Sequence, residues 1–155
     1  MADRFVVVPA AYVLFLRDGD TGREILLQLR QNTGYMDGYW ATAAAGHVER
    51  GESVFAAAQR EAREELGVSD VALEPLCAMH RTGATGLPID ERVDWFLAAT
   101  SWAGEPRIME PEKSADLRWF PVDGLPSPVV PHEKLVIDAV CDGGVPPILA
   151  HGFHA

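Results

Sequence analysis

One segment constrains the fold more than any other. From Ser53 to Leu66 the chain reads Ser-Val-Phe-Ala-Ala-Ala-Gln-Arg-Glu-Ala-Arg-Glu-Glu-Leu, mostly strong helix formers, with a serine to cap its start and Gly67 to stop it. The flanking sequence reads as strand. Val6 to Leu16 and Glu24 to Arg30 form a hairpin across Asp18 to Gly22, and a short strand at Trp40 to Ala44 lies within the glycine-containing loop 31–46. Val71 to His80, Arg92 to Trp102 and Asp116 to Pro121 follow as strands, and His132 to Cys141 as a second, amphipathic helix. Two helices set among strands that include hairpins imply an α/β fold with a mixed sheet.

The 155 residues, 48% of them hydrophobic, suit a single domain spanning 1–155. At this length about 68–70% of the extended-chain surface is buried, enough for a core without disulfides or structural metal. The last stretch, 143–155, has two prolines and no clear period, and is expected to be loosely ordered. Cys77 and Cys141 form no CxxC pair, which fits a reducing cytoplasm. The run from Phe5 to Leu16 is broken by Pro9 and is too short to span a bilayer, so it reads as a buried strand, with a cryptic signal peptide as the alternative.

Charge narrows the function. Thirteen basic against 23 acidic residues give a net charge of −10, a surface that repels nucleic-acid backbones and anionic lipids. A small phosphorylated ligand remains accessible to such a chain through a divalent cation held by carboxylates.

The helix offers those carboxylates. Glu61, Glu64 and Glu65 fall at i, i+3 and i+4, one face of the helix, where like charges repel by roughly 0.2–0.5 kcal/mol per contact. A hard cation reverses that sign. An apolar stripe of Phe55, Ala58, Ala62 and Leu66 lies beside this face, so the helix can bury one side and present the other. A triplet of this kind on its own also fits a solvated face paired with Arg60 and Arg63. The longer register is what discriminates: Gly46, five residues, Glu52, seven residues, then Arg60-Glu61-Ala62-Arg63-Glu64-Glu65-Leu66-Gly67-Val68.

This register resembles the Nudix box, G-x5-E-x7-R-E-U-x-E-E-x-G-U with U a bulky apolar residue. Its seven fixed residues coincide by chance on the order of once in 10⁸ windows. The resemblance implies an α/β/α sandwich with a mixed sheet between helices, and Mg²⁺-dependent hydrolysis, with Mn²⁺ as a substitute, of a nucleoside diphosphate linked to another moiety. The small size is similar to nucleoside triphosphate pyrophosphohydrolases, which give the monophosphate and pyrophosphate. Carried over by position, Glu61, Glu64, Glu65 and the Gly46 carbonyl become metal ligands. Glu64 or Glu61 becomes the base, and Arg60 orients Glu52 or Glu61. Glu112, in a loop similar to one that supplies a further ligand in some relatives, is the pick for that role. Many relatives are homodimers, which leaves that assembly open here.

The chain departs from the family pattern in two places. Ala62 stands where a larger aliphatic is usual, which should thin the packing beneath the helix, and Ala43-Ala44-Ala45 replaces a Pro-Gly-rich approach to Gly46. Outside the box, Arg30, Tyr35, Trp40, Thr42 and His47 are candidates for substrate contact, with Tyr39, His80 and Trp95 behind them; for the large aromatics a core role competes. Two alternatives stand beside hydrolysis. One is an isoprenoid-diphosphate isomerase, for which Cys77 is a tempting residue, and the other is a nucleotide-sensing module that binds without cleaving.

Overall fold

The first strand organises the molecule, and its sequence explains why. In the computed structural model, which describes residues 3–154, β1 (Val8–Gly19) is buried without interruption from Ala10 to Leu16. Alternate side chains enter two different cores. Ala11, Val13 and Phe15 join one, and Ala10, Tyr12, Leu14 and Leu16 join the other. A strand covered on both faces reads as a continuous apolar run rather than an alternating one.

The hairpin partner β2 (Gly22–Arg30) runs antiparallel to β1 from Leu16 opposite Ile25 to Gly19 opposite Gly22. Closer to its own start β1 pairs antiparallel with β4 (Ala44–His47), which places Gly46 opposite Ala11. β3 (Trp40–Thr42) pairs with β2. Next come α1 (Val54–Leu66), β5 (Ser69–Thr82), a 3₁₀ turn (Pro88–Asp90), β6 (Glu91–Ala103), β7 (Ser114–Pro121), α2 (Pro131–Cys141) and β8 (Ile148–His151). Among the described residues the strand order is β3-β2-β1-β6-β5-β8, with β4 on β1 and β7 on β2. β1 and β6 are parallel, β5 and β6 antiparallel, so the sheet is mixed. The core on one face is closed by α1, through Ala57, Ala58, Ala62 and Leu66, and the core on the other by α2, through Val136 and Ile137. The result is an α/β/α sandwich.

α1 has the ends expected of its sequence. The Ser53 hydroxyl accepts a hydrogen bond from the Ala56 N–H at 3.0 Å, and Gly67, at φ 70°, donates its N–H to the Arg63 carbonyl. Three residues of the expected stripe, Ala58, Ala62 and Leu66, are buried, and one is not. Phe55 is half exposed, and Ala57 takes the inner position. The face is set by Ala57, Ala58, Ala62 and Leu66, with Val54 packed against it, and Phe55 follows Val54 by 100° around the helix, enough to turn it outward. Ala57, Ala58 and Ala62 are all fully buried in the core between helix and sheet. They are the size that brings helix and sheet close.

The C-terminal stretch, expected to be loosely ordered, contributes β8. It lies parallel to β5, with Ala78 opposite Ile148 and Arg81 opposite His151, and the approach is fixed by the Ala78 N–H on the Pro147 carbonyl at 2.9 Å. Four residues after a Pro-Pro pair carry too little period to be read as a strand from sequence.

Candidate functional site

Arg60 is the hub of the site. Its guanidinium forks onto Glu52, Nε to Oε2 at 2.8 Å and Nη2 to Oε1 at 3.0 Å, while Nη2 also reaches the His47 carbonyl at 3.0 Å. Nη1 donates to Glu61 Oε1 at 2.7 Å and, over a longer 3.3 Å, to Glu64 Oε2. One arginine thereby ties the loop after β4 to the carboxylate face of α1, the work for which a planar five-donor fork is suited. The Glu52 carboxyl is held down at about 2, first by the Arg60 hydrogen bond, and Arg60 is pushed higher in return.

Glu65 and Glu61 lie against the sheet. Glu65 Oε2 accepts the Ala45 N–H at 2.7 Å. Glu61 lies directly against Gly46, so that a methyl group on Gly46 would occupy the space of its carboxylate. Burial raises the proton affinity of both. For Glu61 the Arg60 contact opposes that rise, whereas Glu64 and Glu110 add to it; Glu65 is raised well above the ordinary range, with Glu61 and Glu110 contributing. Carboxylates gathered where each makes its neighbour harder to ionise suit a hard cation, and all the donors here are oxygen. As they stand, no three His, Cys, Asp or Glu side chains among the described residues converge on one point, since Glu61 and Glu64 are both turned onto Arg60 Nη1.

A cavity of about 710 Å³ opens beside this face, in the size range of small-molecule sites. Of the sequence candidates, Arg30, Tyr35, Thr42 and His47 line it together with Gly46 and Glu65. Arg30 is fixed by Nε on the Tyr35 carbonyl at 2.8 Å and Nη2 on Thr33 Oγ1 at 3.0 Å. His47 is harder to protonate than an ordinary histidine, through burial and then Arg92. Trp40 instead packs, partly buried, against the core beneath α2, edge-on to Phe120 with ring centres 4.9 Å apart. Tyr39 and Trp95 line other clefts, and His80 packs on Phe153.

In the loop before β7, Glu110 rather than Glu112 comes to the site. It shares a second opening of about 560 Å³ with Glu65, Arg30 and His47, while Glu112 is exposed and offers its carbonyl to Asn32. The turn at 110–114, with the Lys113 and Ser114 N–H groups on the Glu110 carbonyl, decides between them. Sequence reading also passed over Glu133, whose Oε1 accepts both the N–H and the hydroxyl of Thr42 at 2.8 Å, and Tyr12, Arg81 and Arg92, which line the cavity deeper in. Glu133 sits on the buried side of an amphipathic helix, where a charged residue gives no positive sign of function.

A profile of the NUDIX domain matches residues 7–140, nearly the whole of the sheet and both helices. The chain belongs to the Nudix family. It is 34% identical over 119 residues to a NAD-capped RNA hydrolase NudC from Stutzerimonas stutzeri, covering 77% of this chain and 38% of that protein. It is 30% identical over 114 residues to an isopentenyl-diphosphate Delta-isomerase from Aliivibrio fischeri, covering 70% and 62%. The chain thus spans less than two thirds of either curated relative. Among solved structures, a MutT NUDIX hydrolase from Burkholderia pseudomallei superposes with a TM-score of 0.75 at 30% identity, over 87% of this chain and 98% of that one. The Nudix box is the segment Gly46 to Val68, and it supplies the Arg60 hub and all three helix carboxylates. No helix among the described residues is long and apolar enough to cross a membrane.

Proposed function

We propose that this Nudix protein hydrolyses a nucleoside diphosphate linked to another moiety, with a nucleoside triphosphate cleaved to the monophosphate and pyrophosphate as the leading substrate class. The observation that carries the reading is the Arg60-held carboxylate face beside a cavity that Glu65 lines together with Arg30, His47, Arg81 and Arg92. The oxygen-only donor set fits Mg²⁺. Glu61, Glu64 and Glu65, with the Gly46 carbonyl beside them, would hold it, and Glu110 stands within electrostatic reach. A bound divalent cation there neutralises diphosphate charge and acidifies water.

The chain's own residues do the rest. Arg60 keeps Glu52 and Glu61 in one orientation. Glu64 is held only by the 3.3 Å contact to Arg60 and is half exposed, so it is the carboxylate best able to take a proton from an attacking water. Arg30 and His47 line the cavity beside Glu65, where phosphate oxygens would lie.

The likeness to an isopentenyl-diphosphate isomerase brings a second reading, and Cys77 bears on it. The thiol is buried in the core beneath α2, is pushed up to about 11 by burial, and does not line the cavity. These features favour a packing role over that of an acid or nucleophile.

The test is release of phosphate and pyrophosphate from a panel of canonical and oxidised nucleoside triphosphates, nucleotide sugars and ADP-ribose, with Mg²⁺ or chelator. Metal-dependent release from one class supports hydrolysis and names its substrates. Isomerisation of isopentenyl diphosphate with no anhydride cleavage, or metal-dependent binding without turnover, overturns it.

A further inference from the structure

The deep end of the cavity presents a pairing that folding does not ask for. Arg81 on β5 and Arg92 on β6 are direct cross-strand partners, and like charges directly opposite on adjacent strands destabilise a sheet. Both line the cavity that also exposes Gly46, His47 and Glu65. One carboxylate serves them both. Asp94, two residues beyond Arg92 on the same face and fully buried, accepts Arg81 Nε at 2.7 Å on Oδ2, and its Oδ1 stands 3.8 Å from Arg92 Nη2. Among the described residues no other carboxylate is within 4 Å of either guanidinium.

The neighbours do not supply the missing charge. Tyr12, whose hydroxyl is 3.5 Å from Arg81 Nη2, keeps its proton, and so does the neutral ring of His132 remain uncharged. Glu133 lies across the cavity, engaged by Thr42 and in the field of Arg30, and Asp90 is tied to the Thr85 hydroxyl at 2.5 Å. Arg92 Nε is buried with no hydrogen-bond partner, and Asp94 Oδ1, at 3.8 Å from Arg92 Nη2, likewise accepts no hydrogen bond, so the carboxylate does not engage the Arg92 fork. Two arginines sharing one carboxylate, in a chain of net charge −10, make a built local excess of positive charge with unused donors.

We propose that Arg81 and Arg92 form an anion subsite that recognises a second oxyanion, a phosphate or a carboxylate, on the substrate moiety remote from the scissile diphosphate. The inference deepens the hydrolase reading and rests on it for the position of the diphosphate. Asp94 is a positioning residue here: by taking Arg81 Nε it leaves the outer edge of that guanidinium for the ligand. Substrates would therefore be nucleotides carrying an additional anionic group on the ribose, the base or the far partner of the anhydride. Those without one would bind more weakly.

The experiment is calorimetric titration of the full chain in chelator with matched ligand pairs. AMP against adenosine 2′,5′- and 3′,5′-bisphosphate tests phosphate, and nicotinamide mononucleotide against nicotinic acid mononucleotide tests carboxylate. The expected result is that the more anionic member of at least one pair binds about tenfold tighter to wild type. The advantage should fall to within twofold in Arg92→Gln, and drop in Arg81→Lys, which keeps the charge beside Asp94 but loses the fork. Equal affinities within every pair, an advantage untouched in Arg92→Gln, or no binding of any ligand would overturn the subsite. Hydrolysis measured separately with Mg²⁺ keeps the failures apart: turnover without an anion preference removes the subsite alone, and an anion preference without turnover removes the catalytic reading.

Discussion

Gly46 and Glu61 form the tightest juxtaposition in the site, and a single methyl group tests it. In Gly46→Ala the added carbon would displace the Glu61 carboxylate, which sits at the flexible end of its side chain and can swing away at little cost to the fold. Turnover should drop by about 10²-fold, the usual consequence of a reacting group misplaced by an ångström, while the melting temperature stays within a few degrees. A variant that keeps wild-type turnover would remove Glu61 from the working geometry. At Arg60 the fork matters as well as the charge. Arg60→Lys cannot hold Glu52 with two bonds and reach Glu61 as well, so kcat should fall by at least tenfold, with circular dichroism unchanged. Equal kcat in Arg60→Lys would reduce the arginine to a point charge. Residues whose partners are close in sequence were legible from spacing, as Glu61, Glu64 and Glu65 were. Arg81 and Arg92 were not, because their pairing depends on a β5–β6 register that shifts at irregularities between Ser69 and Cys77.

Among the elements, α1 was the most legible, since Ser53 and Gly67 are local signals and their hydrogen bonds form as the sequence implies. Its inner face was less so. A large Phe55 draws the eye as core, yet the close approach of helix to sheet selects alanine. Ala62 is fully buried in the core with Ala43, Ala44 and Val71, so a larger aliphatic there must displace its neighbours. Ala62→Leu should lose about 1–3 kcal/mol of stability to overpacking, measured by urea denaturation. A stabilised Ala62→Leu would mean that the helix stands off the sheet and that the alanine does thin the packing. β8 marks the opposite limit, because four residues that pair in parallel with a strand 70 positions earlier carry almost no local signal.

At the scale of the whole molecule, the two faces of β1 divide the labour: one buries α1 and sets the carboxylate face, and the other buries α2 beneath a charged cavity floor. His132, buried behind that floor and 3.3 Å from the Tyr12 hydroxyl, is held down to about 2, first by burial and then by Arg81, His151, Arg92 and Arg30. The unfolded chain gains its proton near pH 6.5 and the folded one does not, so stability is lost as pH falls below 6.5. The slope is about 1.4 kcal/mol per pH unit while that difference persists. His132→Asn should remove this component, and the gap between wild type and variant should narrow by that slope between pH 6.5 and 4.5. Parallel pH profiles would contradict a neutral buried His132. The most direct test of the catalytic reading is turnover of a nucleoside triphosphate in ¹⁸O-labelled water with Mg²⁺, followed by mass spectrometry of both products in wild type and Glu64→Gln. The expected result is monophosphate and pyrophosphate with one ¹⁸O atom in one of the two, and a loss of about 10²–10⁴-fold in rate in the variant. Unlabelled products, or a Glu64→Gln variant as fast as wild type, would contradict attack of water assisted by the Arg60-held carboxylate face.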